Sequence, residues 1–166
     1  MTLDDVVRDL APKLLRYCRL ETDDPSLAEE IAQDTLTALV QRWRRYGPPD
    51  SPAAFAFAIA RRRSARARVR RKLWRPLEEV FGLRDGHANP EQEAVRSGER
   101  ARVARGLERL RARDRQVLLL VTVWELGMEE AAGALGISVS AAKMRAMRAR
   151  DRLRGLLEEG NGHGQG

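Results

Sequence analysis

Apolar residues along this chain return at three- and four-residue steps, and nowhere does the strict alternation of a half-buried strand persist. Leu3, Val6, Val7, Leu10, Leu14 and Tyr17 form a first stripe, with Thr2 placed to cap it. After "ETDDPS" a second helix is expected from Pro25 or Ser26, its stripe made by Leu27, Ile31, Leu39, Trp43 and Tyr46. Its polar positions Glu29, Glu30, Gln33 and Asp34 cluster in the N-terminal half, where acids complement the helix dipole.

"YGPPDSP" (46 to 52) cannot continue a helix, so a third should start at Pro52 or Ala53. A 100° wheel puts Phe55, Ala58, Ile59, Ala65, Val69 and Leu73 on one side and Arg61, Arg68 and Arg71 on the other, with Arg62 and Arg66 intruding on the apolar side. From Leu73 the pattern weakens into a segment punctuated by Pro76, Gly82, Gly86, Pro90 and Gly98, expected to be a linker over 76–99. Periodicity resumes with helices expected at Glu99 to Leu110 and from Ala112 or Arg113 to Trp124. The sequence thus predicts an all-α fold of two small helical domains, 1–75 and 100–158, joined by a linker and followed by a disordered tail over 159–166.

"GMEEAAGALGISVSAAKMRAMRARDRLRGLL" (127 to 157) has the layout of a helix-turn-helix. A short helix from Met128 to Leu135 would be stopped by Gly136 in a left-handed conformation. Ile137 would then plug the turn, and Ser138 would cap a longer helix bearing Lys143, Arg145, Arg148, Arg150, Arg152 and Arg154. In this geometry the first turns of the second helix enter the major groove.

Charge sharpens the picture. The 166 residues carry a formal charge of +7, unevenly spread. Residues 1–40 hold 4 basic and 9 acidic side chains, 41–76 hold 12 and 1, 77–100 hold 3 and 6, and 138–166 hold 6 and 3. Two basic regions flanking an acidic one point to a polyanionic partner. Within the third helix, Arg62 with Arg66 and Arg66 with Arg70 repel at helical spacing, by about 0.2–0.5 kcal/mol per pair, and phosphates would relieve that cost. Enzyme chemistry has no foothold: there is no P-loop, GxGxxG or G-x-S-x-G motif, and the protein is read as a non-enzyme without cofactors. Cys18 has no disulfide partner and reads as a packing residue, and with His87 and His163 as the only histidines no metal site can be assembled. No signal peptide or spanning apolar run is evident, so a cytoplasmic protein without membrane insertion is expected.

"AEEIAQDTLTALVQRW" (28 to 43), "AFAFAIARR" (54 to 62) and "RDRQVLLLVTVWELGMEEAAGALGIS" (113 to 138), in this order, resemble the extracytoplasmic-function sigma factors of bacterial RNA polymerase, over nearly the whole chain from Leu10 to Leu157. The resemblance implies partners: core polymerase, through its beta-prime clamp helices and beta flap, promoter DNA, and an anti-sigma factor. It assigns Glu29, Glu30, Ile31, Gln33 and Asp34 to the clamp-binding face. It assigns Tyr46, Ser51, Phe55, Arg61, Arg62 and Arg66 to the minus-ten element, where the loop over 46–54 would capture a flipped base, and Ser140, Lys143, Met144, Arg145 and Arg148 to the minus-thirty-five element. The chain departs from the family pattern at Phe55 (usually Trp), Arg62 (usually Asn), Ala131 (usually branched) and Ala142 and Ala146 (usually larger), so no promoter sequence transfers by analogy. Residues alone also admit a stand-alone helix-turn-helix regulator with residues 1–72 as a dimerisation domain, or a basic RNA-binding or nucleoid protein.

Overall fold

Thr2 and Asp5 start the first helix by a reciprocal cap. The Thr2 hydroxyl accepts from the Asp5 amide at 3.2 Å, and the Asp5 carboxylate accepts from the Thr2 amide at 3.0 Å. In this computed structural model, which describes residues 1–81 and 98–162 without the side chains of 72–81, seven helices and no strand occur among the described residues. They are α1 (Leu3–Glu21), α2 (Pro25–Tyr46), α3 (Pro52–Phe81), α4 (Glu99–Glu108), α5 (Ala112–Thr122), α6 (Met128–Leu135) and α7 (Val139–Asn161). Asp24 caps α2 through bonds from the amides of Ser26 and Leu27 at 2.9 and 3.3 Å, with Pro25 in the first turn, where its missing N–H costs nothing.

The expected elements are present, with three differences. Helix α3 runs through Pro76 to Phe81, beyond the point where a linker was expected; the rest of that segment lies outside the described residues. Helix α7 continues through Asn161, so the first residues of the expected tail are helical, while 163–166 lie outside the described residues. The buried face of α3 is also rotated from the predicted one. Ala56, Phe57, Ala60 and Ser64 are buried, whereas Ala58, Ala65 and Val69 face solvent. With alanine and arginine alternating along this helix, size and hydrophobicity define its phase poorly, and the bulk of Phe57 decides it.

Helices α1, α2 and α3 pack on one another, and α7 packs across α4, α5 and α6. One apolar core runs through both groups. Tyr17 of α1, Phe57 of α3 and Trp124 just after α5 form a closed triangle of rings with centroids 5.6 to 6.0 Å apart, tilted or edge to face. A smaller cluster of Val117, Ala132, Ala142 and Ala146 holds α5, α6 and α7 together. Its three alanines are the small residues at which helix axes can approach closely.

Candidate nucleic-acid interface

The arginines of α3 divide into two sets. Arg63 pairs with Asp34 of α2 at 2.6 Å, Arg71 with Asp23 at 3.2 Å, and Arg68 with the buried carboxylate of Glu21. Like charge along the helix is therefore relieved partly from within. Among the described residues Arg61, Arg62, Arg66 and Arg70 have no acidic partner and are exposed. Arg62, Arg63, Arg66 and Arg70 line a groove of about 440 Å³ between α2 and α3, whose opposite wall carries Glu30 and Asp34. The basic face and the acidic face predicted on α2 thus border one hollow.

Before α3, Tyr46 ends α2 with its ring 64% exposed and the guanidinium carbons of Arg42 and Arg45 at 5.1 and 5.2 Å from its centroid. Two cations beside a solvent-facing ring make a platform suited to stacking a base while holding its phosphate. Arg42 also donates to the Gly47 carbonyl at 3.0 Å, fixing the start of the loop, where Gly47 has a φ of 79° that side chains disfavour. Ser51 caps α3 by accepting from the Ala54 amide at 3.1 Å, and Phe55 packs half-buried against the core. Arg42 and Arg45 were not singled out from sequence; their four- and one-residue spacing from Tyr46 is the signal that could have found them.

On α2, Glu29, Glu30, Gln33 and Asp34 are exposed. Ile31 is not: it is 4% exposed and belongs to the core, so the helical phase that exposes its neighbours removes it from the predicted face. Arg19 approaches Glu29 at 3.6 Å.

In the C-terminal half the helix-turn-helix forms as read. Gly136 adopts φ 65° and ψ 35°, Ile137 packs beneath the turn, and the Ser138 hydroxyl accepts from the Ala141 amide at 3.1 Å. Ser140, Lys143, Met144 and Arg148 are exposed on α7, with Arg145 half-buried. Arg148 reaches back to Asp114 of α5 at 3.3 Å, which steadies its guanidinium.

A buried polar seam between the two halves went unread in the sequence. The Tyr17 phenol donates to Gln116 at 2.9 Å, Gln116 donates to Glu21 at 3.4 Å, and Glu21 pairs with Arg115 of α5 at 3.1 Å as well as with Arg68. The Arg115–Glu21 pair is off the line of a hydrogen bond, so its contribution is charge attraction. Burial raises the Tyr17 phenol far above its ordinary range, and burial lowers the Arg68 and Arg115 guanidiniums, helped for Arg68 by repulsion from Arg115. Cys18 beside them is fully buried and burial pushes its thiol up to about 12, which keeps it a neutral packing residue. Around the rim, Ser51 donates to Glu130 of α6 at 2.5 Å and Lys13 pairs with Glu125 at 3.0 Å.

Comparison with known proteins adds an independent line. The family model of Sigma-70 region 2 matches residues 6–75, and that of Sigma-70, region 4 matches residues 100–153. The ECF RNA polymerase sigma factor SigD of Mycobacterium tuberculosis (strain ATCC 25618 / H37Rv) is 33% identical, over 92% of this chain and 75% of that protein. ShbA of Streptomyces griseus, another ECF RNA polymerase sigma factor, is 32% identical over 93% of this chain and 87% of its own. Among solved structures, the sigma factor RpoE of Bartonella quintana, in complex with the anti-sigma factor NepR, shares the fold with a TM-score of 0.67 at 22% identity, over 93% of this chain and 96% of that one. CnrH in complex with the cytosolic domain of CnrY does so with a TM-score of 0.68 at 24% identity, over 95% and 88%.

Proposed function

This chain belongs to the extracytoplasmic-function sigma factors, and from that membership we propose how its faces divide the work. The protein binds core RNA polymerase and directs promoter recognition and melting at transcription initiation. Glu29, Glu30, Gln33 and Asp34 of α2 meet the clamp helices of the largest polymerase subunit. Tyr46, Ser51 and Phe55 shape the pocket for an extruded base of the minus-ten element, and Arg61, Arg62 and Arg66 hold the phosphates of the melted strand. Ser140, Lys143, Met144, Arg145 and Arg148 read the minus-thirty-five element in the major groove, with phosphate contacts fixing register and base contacts giving specificity.

The observation that supports this most is the pair of exposed basic faces, one on α3 and one on α7, each within a segment matched by its own sigma-70 region. We place residues 1–75 and 100–158 as the corresponding domains and 76–99 as their connector. The chain works without catalysis, as a specificity subunit beside cytoplasmic polymerase; no helix among the described residues is long and apolar enough to cross a membrane. An anti-sigma factor is the expected regulator, which the complex of the similar RpoE with NepR supports. The test is transcription by purified core polymerase plus this chain on a randomised promoter pool, read by sequencing. Specific start sites are expected, and absence of co-elution with core would overturn the reading.

A further inference from the structure

We propose that the helix-turn-helix is a modification site: Met144 and Met147 on α7 take up oxygen from hydrogen peroxide, and their sulfoxides weaken the grip of this helix on the minus-thirty-five element. The inference rests on the sigma-factor reading, since it is the assigned DNA face that makes their oxidation consequential.

Sulfur is unevenly placed in this chain. Of its four methionines Met1 is the first residue, and Met128, Met144 and Met147 all fall within residues 127–157. Met144 and Met147 are each 49% exposed, although methionine is by nature a filler of core gaps. They stand three residues apart on one face of the helix, in the half of α7 that the docking geometry brings to the major groove. Packing does not need them there, because α7 is anchored by Ala142, Ala146, Ala149 and Leu156.

The other sulfur atoms are out of reach or out of place. Cys18, the only cysteine, is fully buried, and burial keeps its thiol protonated at neutral pH. Met1 is exposed but belongs to no assigned binding face. A thioether has no proton to lose, so access decides its reactivity. Peroxide reaching the folded chain therefore meets accessible sulfur on the reading helix.

The step balances without a cofactor. A lone pair on Sδ attacks one peroxide oxygen, and the O–O bond breaks as the S–O bond forms. The departing hydroxide takes the proton of the transferred oxygen and leaves as water. Sulfur loses two electrons and the peroxide gains them, so an apolar chain becomes a polar sulfoxide with an acceptor oxygen. At Met144 this replaces an apolar contact of the kind that reads a thymine methyl. At Met147 the new oxygen enters a hollow of about 250 Å³ lined also by Met128, Lys143, Arg150, Asp151 and Arg154. Three cations there outnumber one acid, and each is a donor that a sulfoxide oxygen can bind in competition with DNA phosphates.

The test treats the free full-length chain with hydrogen peroxide, quenches with catalase and only then adds core polymerase, with mass spectrometry following each methionine. Initiation by the treated parent should fall at least about fivefold, the size of one lost base contact, while co-elution with core is unchanged. The double variant Met144→Leu, Met147→Leu, scored against its own untreated rate, should lose nothing on treatment. Methionine sulfoxide reductases of both epimer specificities, with dithiothreitol, should restore the parent without any substitution. Undiminished initiation by a parent converted at both residues would overturn the proposal. So would resistance of both thioethers to peroxide, loss of co-elution, an equal loss in the leucine variant, or no recovery once the sulfoxides are reduced. In each of these cases an active untreated parent leaves the sigma-factor reading standing, whereas an untreated parent that never initiates overturns that reading and this inference with it.

Discussion

Tyr17 and Gln116 are ninety-nine residues apart in sequence, yet the Tyr17 phenol donates a 2.9 Å hydrogen bond to the Gln116 carboxamide oxygen at a buried site. A bond of this length between α1 and α5 ties the two halves at one atom pair. It sits under the Tyr17–Trp124 ring contact, so polar and apolar attraction act at the same place.

Gln116→Ala removes the acceptor and leaves a buried phenol O–H without a partner, at a cost of about 1–3 kcal/mol. Tyr17→Phe keeps the ring and should cost less, about 1 kcal/mol. Urea denaturation followed by circular dichroism measures both. An unchanged denaturation midpoint for Gln116→Ala would contradict a bond at this site.

Neutralising Arg61, Arg62 and Arg66 together to Gln should leave the helix content and thermal midpoint of the chain unchanged or slightly raised, because helical like-charge pairs cost about 0.2–0.5 kcal/mol each. Open-complex formation, read by permanganate reactivity of promoter thymines in the presence of core polymerase, should be lost. Unfolding of this variant would instead make these arginines structural.

Lys143→Ala should weaken initiation at promoters carrying a minus-thirty-five element and leave core binding untouched. A base contact would be worth about 1–3 kcal/mol and would relax specificity at one position, whereas a phosphate contact would weaken all sequences alike. Initiation rates across a promoter library distinguish the two.

The pair of Glu108 and Asp23 gives the stability of the fold a pH dependence. In the folded chain burial, and then the neighbouring Asp23 charge and hydrogen bond, raise the Glu108 carboxyl above its ordinary 4.5, opposed by Arg115 and Arg68. The folded chain therefore binds more protons at this site than the unfolded one. This contribution is fully present below 4.5 and is lost as pH rises through the raised value. Acidifying from neutral toward 4.5 should add this contribution to the urea midpoint, and Glu108→Gln should flatten the dependence.

Much of the fold was legible because the core of each helix is made by residues whose size leaves no ambiguity. Leu10, Leu14 and Tyr17 fix the face of α1, and Gly136 with Ser138 fixes the turn and the start of α7. The face of α3 was misjudged because alanines lie on all its sides, and a helical wheel cannot choose among them without knowing where Phe57 goes. Ile31 was placed on a docking face by the family pattern, while the packing of α2 draws it inward. The seam was invisible for a different reason. Glu21, Arg68, Arg115 and Gln116 are residue types that ordinarily signal solvent, and their partners lie 47 to 99 positions away along the chain.

Trp124 turns this arrangement into an optical property. Its indole is 1% exposed, packed edge to face on Phe57 and, among the described residues, without a hydrogen-bond acceptor, surroundings in which tryptophan emits toward the blue. Parting the two halves would hydrate that ring and shift its emission toward the red. With Trp43 and Trp74 replaced by Phe, the chain would carry a native fluorescent gauge of the contact between its halves, one that needs no added label.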